Sequence, residues 1–122
     1  MKYLVDSNII IYHLNKDSIA TEFLSEHYEE IAISQITFVE VLSFAFSLAE
    51  EKDVRELLNT FKIFDIDSKI SNQAVENRKL KKIKVPDNII AATAQSHGLT
   101  LVTRNIKDFK LLDIRVLDPF NR

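Results

Sequence analysis

Three acidic side chains far apart in the chain, Asp6, Glu40 and Asp87, occupy positions where carboxylates can do chemistry. Asp6 follows the short β-prone run Lys2-Tyr3-Leu4-Val5, and Asp87 stands one residue behind Pro86, in the first turn of an expected helix. Glu40 carries the most weight. It lies inside Ile36-Thr37-Phe38-Val39-Glu40-Val41-Leu42, a helix too apolar to offer much solvent-facing surface, and the nearest basic residue along that helix is Lys52. A partly buried carboxylate without a cationic partner must protonate, pair or bind a cation. The other acids also admit ordinary readings. Asp6 suits a turn or a cap, and Asp87 is favoured by the helix dipole by up to ~1 kcal/mol. Asp108 and Asp113 read as solvated loop charges.

If the carboxylates converge they repel, each like-charge pair near ~4 Å costing ~4 kcal/mol at an effective dielectric of about 20. A hard cation removes that cost. All-oxygen ligation with retained water suits Mg2+ or Mn2+ rather than zinc. Such a site activates water and stabilises charge on a phosphodiester during in-line attack.

The elements that would position these groups alternate along the chain. A strand at 2–5 runs into a helix at about 8–15, with Ser7 and Asn8 as good N-caps. A second helix spans about 17–28, and Ile31-Ala32-Ile33 forms a strand ending at the cap residue Ser34. Helices are expected from Gln35 to about Ala49 and over about 51–60, then a strand at 63–66 and a helix at 68–80. The helix opened by Pro86 at its first position should run to His97 and stop at Gly98, the chain's one glycine. Strands at 100–103 and near 115–117 close the chain, placing Asn105 and Asp108 just behind a strand end. This order predicts an α/β fold, a mostly parallel sheet with helices on both faces. Ligands bind such sheets beyond the carboxyl ends of the strands, where Asp6, Asn105 and Asp108 fall.

At 122 residues, 46% of them apolar, the chain suits one domain with a sizeable core. With no cysteine it has neither a disulfide framework nor a thiolate metal site, and a cytosolic protein is expected. No window is apolar enough for a membrane span, and Asp6 interrupts any signal-peptide core. A net charge of −2 argues against a general nucleic-acid binder. It leaves a nuclease open, because a bound divalent cation reverses the local field of an acidic pocket. His13, His27 and His97 have no metal-ligand spacing and read as structural or exposed. Phe38, Phe44 and Phe46 read mostly as core, with some available to a dimer or partner groove.

Four segments carry a resemblance that spans nearly the whole chain. They are Tyr3-Leu4-Val5-Asp6-Ser7-Asn8, Ser34 through Thr37-x-x-Glu40, Val85-Pro86-Asp87-x-Ile89-Ile90-Ala91-Ala92-Thr93-Ala94, and Gly98-Leu99-Thr100-Leu101-Val102-Thr103-Arg104-Asn105-x-x-Asp108-Phe109. In this order and spacing the chain resembles the PIN-domain ribonucleases, specifically the VapC-type toxins of toxin–antitoxin pairs. The resemblance implies a PIN-like fold and Mg2+- or Mn2+-dependent endonucleolytic cleavage of RNA. It also implies homodimerisation and inhibition by a cognate antitoxin.

By the same resemblance, Asp6, Glu40 and Asp87 are metal ligands, with Ser7 and Thr103 supporting them through their hydroxyls. The fourth acidic position, often Asp in the family, is Asn105 here. Its amide would position water on the metal or the substrate phosphate, while Asp108, one turn later, either compensates for the lost charge or braces the loop. Arg104 reads as a phosphate contact or a solvated surface residue. The basic run Arg78-Lys79-Leu80-Lys81-Lys82-Ile83-Lys84 is either a solvated helix end or, through Lys81 and Lys82, a grip on the RNA backbone. Two rival readings are an inactive PIN-fold scaffold, which Asn105 keeps in view, and a phospho-receiver domain. The receiver usually needs paired acids after the first strand, where only Asp6 stands.

Overall fold

Alternation along the strands sorts their side chains into two cores. In the computed structural model, which describes residues 1–121, strand β1 (Tyr3–Val5) sends Tyr3 and Val5 to one face and Leu4 to the other. Strand β2 (Ile31–Ser34) divides likewise, Ile31 and Ile33 against Ala32. Strand β4 (Thr100–Val102) sends Val102 to the first face and Leu101 to the second. With β3 (Lys62–Phe64) and β5 (Val116–Leu117) they make a five-stranded sheet in the order β3-β2-β1-β4-β5. Every pairing is parallel, so the expected α/β architecture stands.

Four helices build the first core: α1 (Ser7–Leu14), α2 (Ser18–Glu26), α3 (Gln35–Leu42) and α4 (Leu48–Thr60). They contribute Ile9, Ile10, Phe23, Leu24, Val41, Val54 and Leu58. On the opposite face α6 (Val85–His97) lays Ile90, Ala91 and Ala94 over Leu4, Ala32 and Leu101. Helix α5 (Ser68–Leu80) packs outside it through Ile70 and Ala74 against Ala92. Each fully buried aliphatic side chain stabilises the fold by roughly 1.5–3 kcal/mol. Among the described residues no helix is long and apolar enough to cross a membrane.

Several expected boundaries shift for identifiable reasons. The helix expected from 35 to 49 ends at Leu42, where Ser43 Oγ donates to Val39 O at 2.7 Å. Ser47 then opens α4 with a capping box, accepting from Glu50 N at 3.1 Å while Glu50 Oε1 accepts from Ser47 N at 2.9 Å. The residues between are a connection, and Phe44 within it is 53% exposed rather than core; Phe38 and Phe46 pack only at the core's edge. Strand β3 lies one residue earlier than expected and ends before Asp65. Asp67 N-caps α5 through Ile70 N, which pulls the intervening residues out of the sheet. Helix α6 starts at Val85, so Pro86 takes its second position, not its first. Gly98 does end α6 with a left-handed φ of +64°, a conformation that favours glycine.

Candidate active site

Strand order reverses direction at β1: the chain fills β2 and β3 on one side, then returns to place β4 on the other. The crevice between the carboxyl ends of β1 and β4 is therefore the topological switch point, the usual ligand position of a parallel α/β sheet. Asp6 leaves β1 at that point and Thr103 leaves β4 beside it. Asp6 N donates to Val102 O at 2.9 Å, and Thr103 Oγ1 donates to Asp6 Oδ2 at 2.7 Å. The other carboxylate oxygen accepts from Ser7 N at 2.7 Å, so Asp6, rather than Ser7 or Asn8, is the N-cap of α1. The capping reading of Asp6 holds: one oxygen caps α1 and the other accepts from Thr103 across the sheet.

Ser7 couples a second acid to the first. Its backbone serves Asp6 while its hydroxyl donates to Glu40 Oε1 at 2.7 Å. Since a serine hydroxyl carries one proton, Thr37 Oγ1, 3.3 Å away, is left to donate to Ser7 Oγ. Glu40 is half-buried, as its apolar helix implies, but its partner is a hydroxyl 33 residues away in the chain rather than a cation. Thr37, fully buried and one turn before Glu40, is a supporting residue that sequence reasoning gives no role of its own. A signal for it exists: Thr37-x-x-Glu40 puts two polar groups on one stripe of an otherwise apolar helix.

Asp87 forms the opposite wall from the first turn of α6. A buried amide network between α5 and α6 holds that turn. Asn77 Nδ2 donates to Asn88 Oδ1 at 3.0 Å and to Gln95 Oε1 at 2.8 Å, and Asn88 Nδ2 donates to Ala74 O at 2.8 Å. Burial raises the Asp87 carboxyl above the ordinary Asp range, and the charges of Asp108 and Glu40 raise it further against the pull of Lys84. Asp6, only 5% exposed, is pushed from 3.8 to about 6. Burial is the main cause, opposed by the Thr103 and Ser7 hydrogen bonds and reinforced by Asp87 and Glu40. The three distant acids therefore share one electrostatic neighbourhood.

The fourth corner divides between two residues. Asn105 is exposed, and its backbone N–H donates to Thr103 Oγ1 at 3.1 Å. Its side-chain amide makes no hydrogen bond among the described residues. Asp108 is the residue whose charge reaches Asp87, and both line a cleft with Lys81, Lys82, Ile83 and Lys84. Lys81 Nζ donates to Lys107 O at 2.8 Å, tying the basic run to the Asp108 loop. Lys81 and Lys82 lie beyond the end of α5, beside the acids. Arg104 is exposed and has no carboxylate partner among the described residues. Its guanidinium lies 4.3 Å from the Phe120 ring centre and 5.1 Å from that of Tyr12. The histidines serve structure: His27 packs on Tyr3 and Phe23, His97 stacks on Phe64, and His13 Nδ1 lies 2.8 Å from Thr21 Oγ1.

Among the described residues no three Asp, Glu or His side chains form a ready-made ligating group. The acids are electrostatic neighbours around a crevice, not a closed cage. An open set of oxygen donors of this kind suits a hard cation that keeps much of its own water, such as Mg2+. It does not fit a structural zinc ion, which needs a closed set of nitrogen and sulfur ligands.

Comparison with known proteins bears on the family. A family model described as the PIN domain matches residues 3–114. The chain is similar to ribonuclease VapC2 of Rickettsia felis, 31% identical with all of both chains covered. It is 29% identical to the tRNA(fMet)-specific endonuclease VapC of Salmonella typhimurium, over 97% of this chain and 98% of that one. Among solved structures, a toxin–antitoxin complex from Klebsiella pneumoniae superposes with a TM-score of 0.87 at 39% identity, covering 97% of this chain and 98% of that chain. DNA-bound VapBC from Salmonella typhimurium gives 0.84 at 25% identity, covering 98% of each.

The raised Asp6 carboxyl has a stability consequence whose sign is fixed. Asp6 binds its proton more tightly in the folded chain, so it favours folding below pH 3.8 and loses that contribution as pH rises through about 6. Asp6→Asn removes the charge but keeps only one acceptor oxygen, so it loses one of the two hydrogen bonds at any pH. Its effect on the stability of the metal-free protein should therefore become more favourable by ~2 kcal/mol between pH 4 and pH 7.5, read from urea unfolding in chelator.

Proposed function

This chain belongs to the PIN-domain family, and on that premise we propose that it is a divalent-cation-dependent endoribonuclease, the toxin of a toxin–antitoxin pair. The observation that carries the reading is the placement of Asp6, Glu40 and Asp87. They are three acids from three elements, mutually repulsive at the switch point of the sheet, with an orienting hydroxyl on each of the first two. Asp6, Glu40 and Asp87 would hold Mg2+ or Mn2+, with Asp108 adding charge on the Asp87 side. When bound, the cation lowers the pKa of attacking water and neutralises charge on the phosphodiester.

The chain's own residues do the rest. Ser7 orients Asp6 through its backbone and Glu40 through its hydroxyl, so the two carboxylates move as a unit. Thr103 directs Asp6 from β4. Asn105, whose amide is free, is placed to bind water or a phosphate oxygen at the rim. Arg104, exposed and resting against Tyr12 and Phe120, would present N–H groups to the phosphate backbone. Lys81 and Lys82 supply positive charge beside an acidic centre, which a polyanionic substrate needs in a chain of net charge −2.

Partner surface is available on the same side as α3 and α4. Val39 and Phe44 are each 53% exposed and Leu48 is 92% exposed, apolar side chains close together in the sequence that suit a cognate antitoxin or a second copy of the chain. Homodimerisation and antitoxin inhibition complete the proposal. So does a cytosolic setting, where a chain without cysteine needs no disulfide.

Purified protein with Mg2+ should cleave RNA and lose that activity in chelator. Glu40→Gln and Asp87→Asn should each lower kcat by at least ~100-fold with the fold intact, the loss typical of removing a group that stabilises transition-state charge. Cleavage at the wild-type rate by either variant would favour the inert scaffold. Reversing charge at Lys81 and Lys82 should weaken RNA binding and flatten its dependence on salt, the slope falling by ~0.7 for each phosphate no longer neutralised. Equal binding across a salt series would remove those lysines from the substrate path.

A further inference from the structure

Asn8, on α1 two residues beyond Asp6, has no part in the mechanism above. Its Nδ2 lies 3.3 Å from Thr103 Oγ1, and its Oδ1 is buried with no hydrogen-bond partner among the described residues. Thr103 Oγ1 also receives Asn105 N at 3.1 Å and lies 2.7 Å from Asp6 Oδ2. A threonine hydroxyl has one proton and two lone pairs, an amide N–H can only donate, and an ionised carboxylate can only accept. The inventory therefore closes at Thr103. Two N–H groups fill both lone pairs, and the single proton is left to Asp6 Oδ2. With the Asn8 amide turned over, Oδ1 would compete for that proton and Asp6 would face a lone pair. The short distance to Asp6 thus fixes the amide orientation as well.

We propose that Asn8 is a positioning residue for the acidic centre, locking the Thr103 hydroxyl as a donor to Asp6 and offering its own Oδ1 to a water in the crevice. The lock matters because a hydroxyl rotor without its N–H partners could swing away and leave a desolvated carboxylate with one hydrogen bond instead of two. The unpaired Oδ1 is the second mark of the site. A buried polar atom left unmatched is destabilising, and native proteins satisfy nearly all such atoms with protein or water. A buried amide oxygen without a protein donor is the kind of atom that an internal water satisfies. The functional half of this inference rests on the cation-dependent reading above. The lock itself does not.

The test compares Asn8→Ala, Thr103→Val and the double variant, with Asn8→Leu as a near-isosteric second substitution should Asn8→Ala lower the unfolding midpoint. In the metal-free protein at pH 8, the 13C signal of the Asp6 carboxyl carbon should move in Asn8→Ala in the direction it moves in Thr103→Val. Adding Asn8→Ala to Thr103→Val should move it no further. Mn2+ affinity, read by electron paramagnetic resonance, should fall about tenfold in each single variant and no further in the double, since the two residues act through one hydrogen bond. An Asp6 signal that stays at its wild-type position in both Asn8 variants overturns the lock, as do additive losses of Mn2+ affinity. If the Asp6 signal moves as expected while wild type binds no Mn2+, the lock stands and the cation-dependent reading fails.

Discussion

Burying the Asp6 carboxylate between the ends of β1 and β4 is unfavourable, and the two hydrogen bonds it accepts recover that only in part. Its carboxyl sits near 6 rather than 3.8 because removal from water outweighs the Ser7 and Thr103 bonds. The surrounding structure is arranged about this imbalance. The sheet brings Thr103 to Asp6 across the switch point, and the first residue of α1 turns one backbone N–H and one hydroxyl toward two different acids. A fold selected for stability alone would not bury a charge here. On the proposed reading this repulsion would become useful, because the charges that destabilise the crevice would ligate a cation.

The second wall depends on a different kind of interaction. Asp87 projects from a helix whose register is set by amide-to-amide hydrogen bonds with α5, buried where water cannot substitute for them. Small residues at Ala91, Ala92 and Ala94 let that helix pack closely on the sheet and on α5. Asp87 is thereby held by packing, whereas Asp6 is held by hydrogen bonds. The basic segment leaving α5 joins the Asp108 loop through Lys81, so the same cleft that gathers negative charge is rimmed by positive charge.

Much of this is legible in the residues because local and global requirements agree. Apolar runs such as Tyr3-Leu4-Val5 and Thr100-Leu101-Val102 mark buried parallel strands, and Gly98 marks the end of α6. The break between α3 and α4 is hidden because Ser43-Phe44-Ala45-Phe46-Ser47 contains neither glycine nor proline. It comes from side-chain hydrogen bonds at its two serines. The cap of α1 is ambiguous for a related reason: Asp6, Ser7 and Asn8 are all good caps, and the tertiary bond to Thr103 decides among them. Pairing Ser7 with Glu40 spans 33 residues and exists only once α1 and α3 are packed. At the fourth corner, sequence alone leaves Asn105 and Asp108 open, and the distribution of charge around Asp87 draws in Asp108.

If the carboxylates at the switch point are held in wait for a divalent cation, calorimetric titration of wild-type protein with Mn2+ between pH 5 and 8 tests it most directly. Because Asp6 must give up its proton to take part, affinity should be nearly constant above pH 7. It should fall by up to tenfold per pH unit below about 6, with proton release measured in buffers of different ionisation enthalpy. Absence of Mn2+ binding at pH 8, or an affinity that does not change between pH 5 and 8, would contradict it.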